Sequence, residues 1–123
     1  MMYVVGNLKM NMLSREEALQ YIAVLKREIK DRRYTAVKSI LCPPFLYLSD
    51  FVHLPASVES GAQNVFWEKS GAYTGEISPT MLKNAGVTSV IIGHSERRGI
   101  HGETNEVVKK KTLAALKHLL VPI

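Results

Sequence analysis

Residues 87–92 are rich in β-branched side chains and lead into Gly93 and then His94-Ser95-Glu96, which can open a helix. The pattern predicts a buried strand that delivers an imidazole to the head of a helix. The unpaired N–H groups and the positive dipole end at a helix start disfavour a charged imidazole, which leaves His94 as a neutral hydrogen-bond donor. Such a donor suits a developing oxyanion. The simpler reading is a histidine that ends a strand and satisfies backbone groups. A second place of interest follows the short strand Tyr3-Val4-Val5, where Asn7 and Lys9 stand two residues apart. Strand alternation would put both on one face at the strand's C-terminal end. A solvated surface lysine is the alternative for Lys9.

These residues need elements to position them. Ser14 with Glu17 three residues on makes a capping box, and Ala18, Ile22, Leu25 and Ile29 follow helical spacing through to Lys30, beyond which Arg32 and Arg33 complement the helix dipole. A second strand is expected over 36–41, closed by Cys42-Pro43-Pro44, then a short helix over 45–52. Residues 58–62 predict a third, weaker strand, which leads into Gln63-Asn64 and an irregular segment over 65–77. Ser78 as N-cap and Pro79 at the first helical position start a helix that Gly86 stops. After the strand ending near Gly93, a loop beyond Arg98 leads to Thr104 as cap and a helix over about 105–118 with Val108, Ala115 and Leu119 inward. Leu120-Val121-Pro122-Ile123 reads as the opening of a fifth strand. Four strand-then-helix units with short connections call for a parallel sheet covered by helices, so the class is α/β, one domain over 1–123. In such folds functional groups gather where strands end and helices begin, which adds Gln63 and Asn64 to the candidates.

The chain has 123 residues, 46% hydrophobic and 22% charged, which is ordinary globular composition with one core. Its formal net charge of +5 fits an anionic ligand, a nucleic acid or a basic surface alike. The lone Cys42 has no second thiol for a disulfide or a metal and reads as a small buried residue in a reducing compartment. There is no basic leader or stretch of membrane-spanning length, so the expectation is a cytoplasmic protein with no membrane partner. The run Lys109-Lys110-Lys111 reads as a solvated helix face rather than a nucleic-acid patch, because no aromatics interleave with it.

Four separated motifs in order resemble the triosephosphate isomerase family: Gly6-Asn7-Leu8-Lys9-Met10-Asn11, Gly61-Ala62-Gln63-Asn64, Gly71-Ala72-Tyr73-Thr74-Gly75-Glu76-Ile77-Ser78-Pro79 and Gly93-His94-Ser95-Glu96-Arg97-Arg98. The resemblance implies the N-terminal half of a (β/α)8 barrel, four βα units and the start of a fifth strand. It also implies cofactor-free interconversion of dihydroxyacetone phosphate and glyceraldehyde 3-phosphate. The family is itself a standard example of a neutral histidine electrophile working with a glutamate base. Carried over by motif, His94 polarises the substrate carbonyl, Lys9 supplies positive charge to phosphate and enediolate, and Asn7 orients the substrate oxygen. Glu96 resembles the carboxylate that holds the lysine in place, with a plain first-turn glutamate as the alternative, and Ser95 resembles a support for the active site. Leu8 stands where the family more often has Trp, a change expected to alter packing near the lysine without removing its charge.

The segment 65–77 is too long for a plain connection, and Phe66, Trp67 and Tyr73 are expected to bury against something. In the family the matching loop inserts into a partner subunit, with residues matching Thr74, Gly75 and Glu76 at its tip. A loop folded back on its own chain is the alternative. Such a barrel takes roughly 250 residues, so the resemblance covers about half of it, and the remainder would contain the glutamate base, the lid and the phosphate-binding loops. The expectation is an isomerase half with little activity alone, a homo-oligomer or a body completed by a C-terminal half. A non-catalytic half-barrel that pairs with itself or with intact subunits through the 65–77 loop is the competing reading, and the exposed edges of its first and fourth strands would add to self-association. A basic nucleic-acid binder comes last, for want of a binding motif.

Overall fold

The computed structural model describes residues 2–29 and 36–123. Lys30, Arg32 and Arg33, expected to close the first helix, lie outside the described residues. The chain groups into two compact units, Met1–Gln63 and Asn64–Ile123.

In the first unit, β1 (Met2–Asn7) pairs in parallel with β2 (Val37–Cys42), which pairs in parallel with β3 (Val58–Ala62). Parallel neighbours need a crossover, and the first contains α1 (Arg15–Ile29). Its start is close to the capping box expected: Ser14 Oγ accepts the Glu17 N–H at 3.1 Å, while the Glu17 carboxylate reaches one residue further back, to the Leu13 N–H at 2.7 Å. The inward stripe of α1, Ala18 and Ile22, joins Tyr47 and Phe51 in a core against which Leu8, Met12, Leu41 and Leu54 pack. The helix expected over 45–52 is a 3-10 turn, Phe45–Tyr47, running into the single-turn helix α2 (Leu48–Phe51). Pro43-Pro44 ends the ladder, and Pro44 precedes this turn in an extended conformation with φ −52° and ψ 143°.

The second unit carries α3 (Pro79–Asn84), β4 (Ser89–Val90), α4 (Ser95–His101), α5 (Asn105–Lys117) and β5 (Val121–Pro122). Ser78 and Thr104 cap α3 and α5 as their types foretell, each hydroxyl accepting the N–H three residues on. β4 is shorter than the 87–92 run predicts, yet parallel ladder bonds join Thr88, Val90 and Ile92 to Val121 and Ile123. The edge of the fourth strand is therefore covered by the fifth rather than open. Helix α4 does not give way to a loop after Arg98. It continues to His101, where Gly102 closes it in the left-handed region at φ 66°. Leu119 was expected inward; the helix instead ends at Lys117, Leu119 takes a positive φ of 57° and is 77% exposed, and Leu120 turns in.

Lys111 departs most from the sequence reading. Of the lysine run, Lys109 and Lys110 are exposed, but Lys111 is 3% exposed. It lies three residues after Val108 and four before Ala115, on the inward stripe of α5, and a buried charge requires partners.

Candidate functional site

In the first unit the candidates sit where β1 ends. Asn7 is the last residue of β1, opposite Cys42 in the parallel register, and Lys9 lies past the strand at φ 53°. The period-two argument for a common face therefore does not reach Lys9. Residue 9 instead belongs to a turn closed by Asn7, whose Oδ1 accepts the Lys9 N–H at 2.9 Å. An Asx turn of this kind replaces a backbone bond by a side-chain one. This turn uses the Asn7 oxygen and not its amide nitrogen. A left-handed φ at a residue with a Cβ costs about 1–2 kcal/mol, and such conformations persist where neighbours over-determine them. Gln63, the first residue past β3, donates its Nε2 to the Lys9 carbonyl at 2.8 Å and to the Cys42 carbonyl at 2.9 Å. Leu8, just before the lysine, packs against the Ala18–Phe51 core and donates its N–H to the same Cys42 carbonyl at 3.0 Å. Cys42 is fully buried, and burial pushes its thiol up to about 11, in keeping with a packing role.

In the second unit the strand β4 does deliver an imidazole to a helix start. Gly93 makes the corner at φ 67°, where a Cβ would come within 2.8 Å of Val108 Cγ2. His94 is then the N-cap residue of α4, and its Nδ1 accepts the Glu96 N–H at 3.2 Å. An Nδ1 that accepts carries no proton, so the ring in this geometry is the Nε2–H tautomer and Nε2 is its donor. The ring thus satisfies a backbone group with Nδ1, as the simpler reading of His94 has it. Glu96 Oε2 lies 3.6 Å from Nδ1, Ser95 is exposed in the first turn, and Arg98 returns to the corner by donating Nε to the Gly93 carbonyl at 3.0 Å.

Behind this turn is a buried ionic cluster. Glu103 Oε1 accepts from Arg97 Nε and from Lys111 Nζ, and Lys111 also donates to Asn64 Oδ1 at 2.7 Å. Asn64, grouped at the sequence level with the site candidates, is thus a structural acceptor here. Burial by itself pushes the Glu103 carboxyl up, and the hydrogen bonds and charges of Lys111 and Arg97 more than reverse it, holding the group below the usual glutamate range. Helix α4 is thereby tied to α5 through a residue on the turn opened by His94. The sequence signal for it was the inward position of Lys111 on the α5 stripe.

The 65–77 segment packs on itself in part. Phe66 stacks on Trp67 with ring centroids 4.0 Å apart and lies 4.6 Å from Tyr73, while Lys110 Nζ sits 5.4 Å over the Trp67 ring. The Phe66 N–H donates to the Ile77 carbonyl at 2.8 Å and closes the loop at its base. Thr74, Gly75 and Glu76 at the other end are exposed, with Gly75 at φ 86°.

A family model for triosephosphate isomerase matches residues 2–123. The chain belongs to the triosephosphate isomerase family. It is 48% identical over 121 residues to the triosephosphate isomerase of Natranaerobius thermophilus, an alignment covering 98% of this chain and 46% of that protein. With the triosephosphate isomerase of Thermoanaerobacter pseudethanolicus it shares 47% identity over 122 residues, 98% of this chain and 48% of that one. With that of Dictyoglomus thermophilum it shares 51% over 92 residues, 73% and 37% respectively. The chain thus spans about half the length of the curated relatives it matches, and its parallel βα repeats are the N-terminal half of the family's (β/α)8 barrel.

Proposed function

We propose that these residues are the electrophile-bearing half of a triose-phosphate isomerase, interconverting dihydroxyacetone phosphate and glyceraldehyde 3-phosphate in glycolysis and gluconeogenesis without a cofactor. The observation that carries this reading is the hydrogen bond from the Glu96 N–H to His94 Nδ1, which assigns the ring proton to Nε2. In this proposal Nε2–H donates to the substrate carbonyl oxygen. When a base takes the proton from the neighbouring carbon, that oxygen becomes an enediolate oxyanion and the hydrogen bond strengthens, so the imidazole favours the transition state over the ground state. The Lys9 ammonium meets both the phosphate and the developing negative charge, and the Asn7 amide nitrogen orients the substrate oxygen. Ser95 and Glu96, in the first turn of α4, are assigned supporting roles at the site. Glu103 is an unsuitable base, since Lys111 and Arg97 occupy its Oε1 and its Oε2 is buried away from solvent.

The glutamate base belongs to the half of the family fold beyond these repeats. Losing a general base costs about 10²- to 10⁴-fold, so in this proposal the 123 residues alone are expected to turn over little substrate. Activity is expected when a separately produced C-terminal half of a family member is added, assayed by isomerisation of glyceraldehyde 3-phosphate. Ordinary enzyme rates from the chain alone, or none on adding the second half, would sink the proposal. The partner surface we assign is the exposed tip Thr74-Gly75-Glu76, set into a second copy of the chain in a homodimer. A cytoplasmic, glycolytic setting suits the lone buried Cys42. Among the described residues no helix is long and apolar enough to cross a membrane.

One observation favours a second reading, a non-catalytic half-barrel that self-associates or pairs with intact subunits. The start of β1 exposes Met2, Tyr3 and Val4 at 63%, 56% and 52%, an apolar strand of the kind that pairs with another chain. Size-exclusion chromatography separates the readings in part: a well-packed monomer at micromolar concentration argues against the pairing module, and rate restored by a second half argues for the enzyme.

A further inference from the structure

We propose that Gln63 is a positioning residue for Lys9, holding its peptide in the left-handed conformation from which the ammonium is presented. For its functional consequence this rests on the reading of Lys9 as the substrate's cation. The conformational claim stands on geometry alone. Rotation of residue 9 is defined by its N–H on one side and its carbonyl on the other, and both are held by side-chain carboxamides: the N–H by Asn7 Oδ1 at 2.9 Å, the carbonyl by Gln63 Nε2 at 2.8 Å. The second Gln63 proton goes to the Cys42 carbonyl at 2.9 Å, the acceptor that also takes the Leu8 N–H at 3.0 Å. The Asn7–Leu8 peptide, through the Leu8 N–H, and the peptide after Lys9, through Gln63, are therefore both referred to one fixed point, the last carbonyl of β2. The side chain at the end of β3 reaches across the end of β2 to the turn after β1.

The assignment of the amide is unambiguous, because both partners are carbonyl oxygens and only a nitrogen with two protons satisfies them. A glutamate of the same length would set a carboxylate against two acceptors. Loss of the Gln63 amide would remove the hydrogen bond that orients the lysine carbonyl, one of the restraints on the positive φ of 53°.

The experiment is solution NMR on the full 123-residue chain, wild type against Gln63→Met and Gln63→Glu. In the wild type, the Lys9 amide-to-Hα coupling and 13Cα and 13Cβ shifts are expected to report a positive φ, and the two Gln63 side-chain amide protons to be protected from exchange. Both substitutions are expected to abolish the positive-φ signature at Lys9 while the shifts of β2 and β3 persist, which a merely structural role for Gln63 would not produce. A Lys9 signature unchanged in a folded Gln63→Met chain overturns the proposal. So do unprotected Gln63 amide protons in the wild type, a readout that remains if neither variant folds. If Gln63→Met removes the signature yet substrate binding in the complemented enzyme is unchanged, the reading of Lys9 as the substrate's cation fails and the role of Gln63 stands.

Discussion

Lys9 and His94 are held in opposite ways. The lysine turn is exposed, strained at φ 53°, and fixed by side-chain carboxamides on its backbone. The imidazole sits on a corner that only glycine fits, ahead of a helix anchored by a buried Glu103–Lys111–Arg97 cluster. A few neutral hydrogen bonds contribute about 0.5–1.5 kcal/mol each, whereas a buried ion pair contributes little net stability but is expensive to break. The first arrangement can be altered without unfolding the chain. The second couples the position of an imidazole to the integrity of the unit that carries it.

The largest effect should come from Glu103→Ala, which strands Lys111 in the interior at a cost of about 3–5 kcal/mol, measured by urea unfolding. A loss below 1 kcal/mol would remove the contrast between the two regions. Acid should do part of the same. A carboxyl whose folded-state value is depressed contributes stability that is present above its unfolded value and lost as the pH falls through the folded one. Folding stability should therefore decline below the ordinary glutamate range, and Glu103→Gln should flatten that decline. If wild type and Glu103→Gln fall in parallel with acid, the cluster is not the acid-sensitive element.

Next comes chemistry in the complemented enzyme. His94→Gln should lower kcat by about 10²- to 10³-fold, the usual loss for one oxyanion donor, with KM little changed. Lys9→Ala should damage both parameters, because in the proposed reaction the ammonium also meets the ground-state phosphate. Equal effects of both variants on kcat and KM would erase the distinction.

Gly93→Ala should destabilise by about 2 kcal/mol, combining a left-handed φ with a methyl pressed on Val108. Lys9→Gly tests the same backbone region of conformational space with the opposite sign: relief of the positive φ should stabilise the chain by up to about 1 kcal/mol, less what glycine adds to unfolded-chain entropy. Destabilisation by Lys9→Gly in urea titrations would show that the turn is not strained.

The element order was legible because local chemistry announces it. Ser14, Ser78 and Thr104 cap helices where their hydroxyls reach the third N–H on, Gly86 stops α3 at φ 84°, and the β-branched run before Gly93 supplies the fourth strand. His94 at the head of a helix follows from the same kind of signal, and that chemistry extends over only a few neighbouring residues. What residue types could not reveal depends on partners distant in sequence. Lysine has no preference for positive φ, so the turn at Lys9 exists because Gln63, 54 residues away, and the end of β2 hold its peptide. Nor does a run of three lysines say which one turns inward. Lys111 is buried because its place on the α5 stripe brings Glu103 and Asn64 within reach of its ammonium, and only the folded chain supplies those two acceptors.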